Sequence, residues 1–486
     1  MLPNSLPFLA LLAVLVLVYY LLPHRFRWPL LLLASYGFYA SWEPGPTLLL
    51  VGLTLATYWM ALAIGRGVER RKLLLIIGIL LNVGLQVLFK YFDFFMEELS
   101  GLAQSMGVGI SLPTLGLPLP VGLSFYTFSI ISYLVDVYRG KLEAERHFGR
   151  LAVYIAFFPK ILAGPIERAI TFLPQLRERI RFSPDNMIEG TQLMMWGLFK
   201  KVIIADRLAP FVDAAYANVT YAPTIELLIA TYFYAFQIYC DFSGYTDMAR
   251  GAAKFFGFDI MENFRRPYLA KSTPDFWGNR WHISLSTWFR DYMYFPMGGS
   301  RVGLIRRYVN LMMVFIVSGW WHAGLGYGVN WAFLIWGALN GFYQWVAVAT
   351  SGIWRRIGNV MPDQLKNHVA LSTVRVLITF HAITFAWIFF RANSIGDAWT
   401  VVTRIYDGWK LLPLMIKTYS YTTEFWIAIG AIGVLILVEL LEETFPIWKR
   451  IRTAPVYVRW PAYYAMILAL VILGKWGAEQ FIYMQF

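Results

Sequence analysis

Two histidines forty positions apart, His282 and His322, are the residues of this 486-residue chain best suited to chemistry. His322 closes Ser318-Gly319-Trp320-Trp321-His322-Ala323-Gly324 at the end of the apolar run Leu311 to Val317, and His282 lies in Trp281-His282-Ile283-Ser284-Leu285-Ser286. An imidazole at membrane depth is costly to bury, and burial disfavours its charged form, so His322 is expected to be able to take a proton from an attacking hydroxyl. Acyl transfer suits such a pair. A thioester donor already has a good leaving group, and the protein need only supply a base, exclude water and hold the reactants together. The alternative for His322 is a hydrogen-bonded packing residue. A metal site is disfavoured, since no third Asp, Glu, His or Cys stands at ligand spacing. Asp206, which follows Lys200 and Lys201, is a further polar candidate at membrane depth. Asp241, Ser243 and Asp247 are expected just beyond a span ending near Cys240, where carboxylates commonly pair with Arg or cap backbone NH groups. Cys240 is alone, so no intramolecular disulfide forms; it reads as a small apolar helix residue rather than as an acyl-accepting nucleophile.

The elements that must position these residues are membrane helices. A chain that is 58% hydrophobic and only 15% charged lies far outside the soluble globular range. About twelve apolar stretches approach bilayer-spanning length, near residues 6–22, 28–45, 47–65, 73–95, 120–138, 187–206, 225–243, 308–325, 329–349, 371–390, 424–442 and 460–480. Another, around 151–165, is interrupted by Pro159, Gly164 and Pro165 and predicts a re-entrant or broken element. The first stretch is expected to remain as an anchor, because no Lys or Arg precedes it and no small-residue cleavage site follows.

The net charge of +13 fits the positive-inside rule better than a nucleic-acid partner. Arg25 and Arg27, then Arg66 to Lys72, then Arg139 to Arg150, then Arg177 to Arg181, and later Arg355 and Arg356 fall in connections expected to face the cytoplasm. The stretches 96–120 and 208–224 are expected outside, as are both termini. The chain is expected to form a single membrane domain over 1–486: N-terminal spans to 117, a core over 118–392 and C-terminal spans over 393–486. The largest break in hydropathy, Arg250 to Arg307, has ten basic and four acidic residues interleaved with aromatics. This pattern predicts short amphipathic or re-entrant helices at headgroup level on the cytoplasmic side, carrying His282, with His322 lying outward.

Several stretches of the core carry a resemblance. Pro120-Val121-Gly122-Leu123-Ser124-Phe125-Tyr126, Asp136-Val137-Tyr138-Arg139-Gly140, Phe157-Phe158-Pro159-Lys160-Ile161-Leu162-Ala163-Gly164-Pro165, Tyr239-Cys240-Asp241-Phe242-Ser243-Gly244-Tyr245, Glu262-Asn263-Phe264, Trp281 to Tyr294, Pro296 to Arg301 and Trp321-His322 together resemble the membrane-bound O-acyltransferases, and within them the bacterial alginate O-acetyltransferase type. The resemblance implies an all-α polytopic membrane protein, a ring-like helical body with re-entrant and interfacial helices around a central tunnel. It implies that His322 matches the family's catalytic histidine, that His282 matches its second polar position, and that Asp206 matches a polar position the alginate type needs. The glycine-rich Gly324-Leu325-Gly326-Tyr327-Gly328 departs from the family pattern in length.

On this resemblance no cofactor is bound. The donor is acetyl-CoA or another acyl thioester arriving from the cytosol, and the acceptor is an extracytoplasmic polysaccharide. The implied setting is the inner membrane of a bacterium, beside polysaccharide synthesis machinery and an SGNH-type, hydrolase-like acetyltransferase outside the membrane. Alternatives left open are D-alanyl transfer to teichoic acid, lysophospholipid acylation, a transporter or flippase relaying protons, and a scaffold for a polymer synthase.

Overall fold

A computed structural model describes residues 2–42, 44–323, 329–360, 362, 368–408, 422–477 and 481–482. The glycine-rich stretch 324–328 lies outside these. Every regular element among the described residues is helical. In chain order the helices are α1 (Leu6–Leu21), α2 (Arg27–Ala40), α3 (Pro44–Gly65), α4 (Arg71–Gln86), α5 (Phe92–Ser105), α6 (Leu123–Tyr138), α7 (Phe148–Ala156), α8 (Ala169–Arg177), α9 (Pro184–Leu198), α10 (Asp206–Ala217) and α11 (Thr224–Phe255). After a run of short turns come α12 (Ile283–Phe289), α13 (Leu304–His322), α14 (Ala332–Val360), α15 (Val369–Arg391), α16 (Ile395–Gly408), α17 (Thr423–Thr444), α18 (Ile447–Thr453) and α19 (Val456–Leu473).

Among the described residues each of the twelve apolar stretches coincides over most of its length with a helix or a continuous helical group, and six helices or groups there are long and apolar enough to cross a bilayer: Pro44–Gly65, Arg71–Ser105, Ala332–Ile357, Val369–Arg391, Thr423–Thr444 and Val456–Leu473. These helices expose Leu48, Leu80, Val471 and Ile472, side chains that only a lipid environment accommodates in such number. The interior is built around the most deeply buried of the other helices, α6, α7 and the middle of α11. Along α6 every residue from Leu123 to Val137 is buried, the mark of a helix surrounded by protein. Protein surroundings also let central helices carry polar groups that lipid would not tolerate.

The stretch around 151–165 breaks as its prolines and glycine require. Helix α7 ends at Ala156, and the chain from Phe157 to Pro165 runs non-helical yet buried, in a protein-lined setting. One boundary differs from expectation. The span through Cys240 does not end there: α11 continues for 32 residues to Phe255, so Asp241, Ser243 and Asp247 lie inside a helix rather than beyond one. The extension is possible because α9, α10 and the π-helical turn Phe199–Ala205 between them shield that face, and Lys200 and Lys201 of the turn meet its carboxylates.

Helices α9 and α11 touch backbone to backbone. A Cβ on Gly197 would fall 2.6 Å from the carbonyl oxygen of Gly244, and one on Gly251 would fall 2.6 Å from that of Gly190. The two pairs recur seven residues apart on each antiparallel helix, so the seam is continuous and driven by close van der Waals contact. Overpacking of this kind costs about 1–3 kcal/mol. Gly197→Ala should therefore lower the midpoint of thermal unfolding in detergent, whereas Gly84→Ala, with nothing within 4 Å of its added Cβ, should not. Equal midpoints for the two variants would show that the seam yields freely.

Candidate active site

Helix α13 delivers His322 at its last residue. It packs on α14 through Gly319 and Gly337, where a Cβ on Gly319 would meet the Phe333 carbonyl oxygen at 2.4 Å. The last carbonyls of a helix lack partners within it. Here Lys90 Nζ donates to the Trp321 carbonyl at 2.7 Å and Tyr91 Oη to that of Trp320 at 2.9 Å. Both donors stand on a π-helical turn, Val87–Tyr91, that joins α4 to α5. The end of α13 is thus tied to the span beside it by a cation and a phenol.

His322 is 2% exposed. Its Nδ1 lies 2.7 Å from the carbonyl oxygen of Ser318, one helical turn earlier. A carbonyl can only accept, so Nδ1 carries the hydrogen and Nε2 of the neutral ring presents its lone pair. Trp321, Trp336 and Phe390 enclose the ring, with centroids at 4.6, 5.2 and 5.5 Å.

His282 reaches the same place from the segment between α11 and α13. Its backbone adopts the left-handed conformation (φ 43°, ψ 52°), uncommon for a residue with a side chain and held only where surroundings over-determine it. The restraint is a pair of crossing backbone bonds, Arg265 N to Arg280 O at 2.8 Å and Ile283 N to Asn263 O at 2.9 Å. Asn263 adds its side chain, whose Oδ1 accepts from Ser284 N and Oγ at 3.1 and 2.9 Å and so caps the start of α12. The His282 ring packs 4.7 Å from Phe242, and its centroid is 6.4 Å from that of His322. Burial first, and the neighbouring His322 second, hold its pKa well below the ordinary histidine value.

This corrects the expected separation of the pair, with His282 toward the cytoplasmic face and His322 lying outward. At 1% exposure it is interior, and the two imidazoles are neighbours. The interfacial pattern around it belongs to flanking turns, where Arg280 pairs with Asp275 at 2.9 Å and with Glu443 at 2.8 Å.

A cavity of about 400 Å³ opens beside the pair, lined among others by Trp277, Asn279, His282, Arg290, Phe315 and Ser318. It reaches His282 and the Ser318 residue that orients His322, and stops one layer short of the His322 ring. A second cavity, about 330 Å³ and mostly apolar, lies between α4, α6 and α13, with Phe289 in the wall of both. The arrangement can place an acyl group against an imidazole base in surroundings poor in water.

Asp206 joins a different cluster. It and Asp241 each lie 2.7 Å from Lys201 Nζ, and all three side chains are buried. Asp241 also accepts from Ile482 N at 2.7 Å, and Lys200 pairs with Asp247 at 2.6 Å. Phe242, next to Asp241 on α11, faces His282, so this helix stands between the lysine cluster and the histidines.

Three contributors escaped the sequence reading. Lys90 had a signal, a lysine within an apolar span, and Ser318 had another, its position four residues before His322 on a helix. Asn263 stood in a motif that named no role for it.

The buried histidine pair and its cavity within a bundle of membrane helices agree with what comparison with known proteins gives: the chain belongs to the membrane-bound O-acyltransferase family, which residues 121–393 match. It is a multi-pass membrane acyltransferase. Among similar proteins, the probable alginate O-acetylase AlgI of Pseudomonas aeruginosa is 38% identical over 405 residues, which cover 82% of this chain and 73% of the relative. The peptidoglycan O-acetyltransferase of Helicobacter pylori is 36% identical over 400 residues, covering 76% and 72%. A teichoic acid D-alanyltransferase of Bacillus subtilis is 28% identical over 287 residues, covering 56% and 69%.

Proposed function

We propose that this protein moves an acetyl group from a cytosolic thioester, acetyl-CoA, through the bacterial inner membrane for O-acetylation of an extracytoplasmic polysaccharide. The observation that carries the reading is the buried His282 and His322 pair, with His282 in the wall of the cavity and the hydrogen of the neutral His322 ring on Nδ1. In the proposed step an acceptor hydroxyl oxygen forms a bond to the acetyl carbonyl carbon as the carbon–sulfur bond breaks. The hydroxyl proton passes to His322 Nε2 and then to the departing thiolate. The cavity lined by Trp277, Asn279 and Arg290 would admit the donor, and passage to the outer side needs the layer around His322 to open. His282 would be the second polar group at the reacting centre, and Asp206 a positioning residue acting through α11. A hydrolase-like transferase outside the membrane would complete delivery to the polymer. The names of the acetylating relatives support acetyl over D-alanyl, and matches to both an alginate and a peptidoglycan enzyme leave the polymer open between them.

Purified protein in proteoliposomes, given acetyl-CoA labelled in the acetyl group, should transfer label to an acceptor polysaccharide or to a co-reconstituted exported transferase. Transport of a solute without covalent labelling would instead make it a transporter. The pH profile gives a separate check. Protonating His282 would put a charge beside the His322 base, and its depressed pKa keeps the ring neutral as pH falls through 6.5, so titration of His282 should not cut kcat/KM at or above that value. A limb centred at or above it would assign the titrating base elsewhere.

A further inference from the structure

Away from the histidines, a cavity of about 220 Å³ lies between the α1–α2 turn, the start of α7 and the end of α8. Its wall carries His24, Arg25, Arg27 and Arg150, with one carboxylate, the exposed Glu178, among the described residues. The nearest ion pairs, Arg177 with Glu145 and Lys254 with Asp259, leave these cations out. Arg27 is fixed by carbonyls rather than neutralised: its Nε donates to Leu22 O at 3.2 Å, a terminal nitrogen to Ile180 O at 2.6 Å, and its guanidinium lies over Tyr19 at 4.7 Å. Two buried ring and guanidinium nitrogens, His24 Nδ1 and Arg150 Nε, have no hydrogen-bond partner within the protein. Buried polar atoms of native proteins are nearly always satisfied, so an orphaned pair in one cavity points to an acceptor that enters it. Trp28, also on the wall, packs so tightly on Gly149 that a Cβ there would fall 2.1 Å from the ring, which fixes Arg150 at the cavity edge.

We infer that this cavity binds the phosphate of an anionic membrane lipid. A phosphodiester supplies acceptor oxygens for the Arg150 fork and His24, and its charge answers Arg25 and Arg27. Phe26 and Phe182 stand exposed beside it, where the acyl-bearing part of the lipid would lie. The cavity falls among basic connections assigned to the cytoplasmic side, the side on which anionic lipid collects. A soluble phosphate compound shares the chemistry, and the experiment separates the two sources.

The full chain in detergent would be titrated with phosphatidylglycerol, phosphatidylcholine and inorganic phosphate, with binding read by native mass spectrometry and thermal unfolding. Phosphatidylglycerol should bind at least about tenfold more tightly than phosphatidylcholine, and Arg150→Gln should weaken it by about tenfold. Since Arg150 Nε has no partner to lose, the lipid-free variant should melt no lower than the parent protein. His24→Gln is a second variant that should act in the same direction. Stabilisation by inorganic phosphate with no preference between the two lipids would overturn the lipid as source. Unchanged phosphatidylglycerol binding in both variants would overturn the site. Neither reading depends on acyl transfer, so the outcome is independent of the proposed reaction.

Discussion

Replacing His322 with alanine should lower polymer acetylation by about 10²–10⁴-fold, the range over which a positioned general base contributes. The expected loss is in turnover rather than in protein. His322 Nδ1 bonds back to the Ser318 carbonyl of its own helix, and the end of α13 keeps its ties to Lys90 and Tyr91 when the ring is gone. His322→Gln sharpens the test, because an amide can still donate to the Ser318 carbonyl and fill much of the space but offers no basic nitrogen. A packing role would let glutamine rescue what alanine loses. A catalytic role leaves both variants inactive at normal membrane abundance. Acetylation within about tenfold of the parent in His322→Gln would remove the general-base assignment.

The sequence reading reached the helices because their signal is local. Apolar runs, the break at Pro159 to Pro165 and the glycine-flanked His322 can be seen within a window of a few turns. It failed where the answer depends on which helix lies alongside. Asp241 and Asp247 look like exits from a membrane, which predicts a helix end near Cys240, and they stay inside α11 because Lys201 and Lys200 reach them from the π-helical turn Phe199–Ala205. The arginines and tryptophans around His282 predict a position apart from His322. The left-handed backbone of His282 turns its ring inward, and that turn is set by Asn263, nineteen residues earlier. The Gly190 and Gly251 contact likewise has no local signature beyond a heptad spacing that only the partner helix makes meaningful.

Lys201→Met should deplete folded protein from the membrane, and Asp206→Asn beside it decides what Asp206 does. One ammonium serves two carboxylates, each at 2.7 Å, with Lys201 and Asp206 side chains 1% exposed and Asp241 3%. Removing one partner from a buried ion pair costs about 3–5 kcal/mol, because the charge left behind has no solvent to return to. Here two anions would be stranded together. Asp206→Asn is the milder change: Lys201 keeps Asp241, and the amide oxygen can still accept from Nζ. If Asp206 only positions α11, Asp206→Asn should lose stability and retain turnover per folded molecule. Combining Lys201→Met with Asp206→Asn and Asp241→Asn should then recover folded protein, since an uncharged cluster strands nothing. If Asp206 instead acts on the reacting groups, Asp206→Asn should reach the membrane at normal levels and still lose acetylation, with kcat falling and unfolding midpoint unchanged. Abundance by quantitative immunoblot, the unfolding midpoint in detergent and turnover per folded molecule separate the two. Positioning is the expected outcome, because the α11 backbone that carries Asp241 to Lys201 also carries Phe242 to the face of His282, and a shift at one residue moves the next.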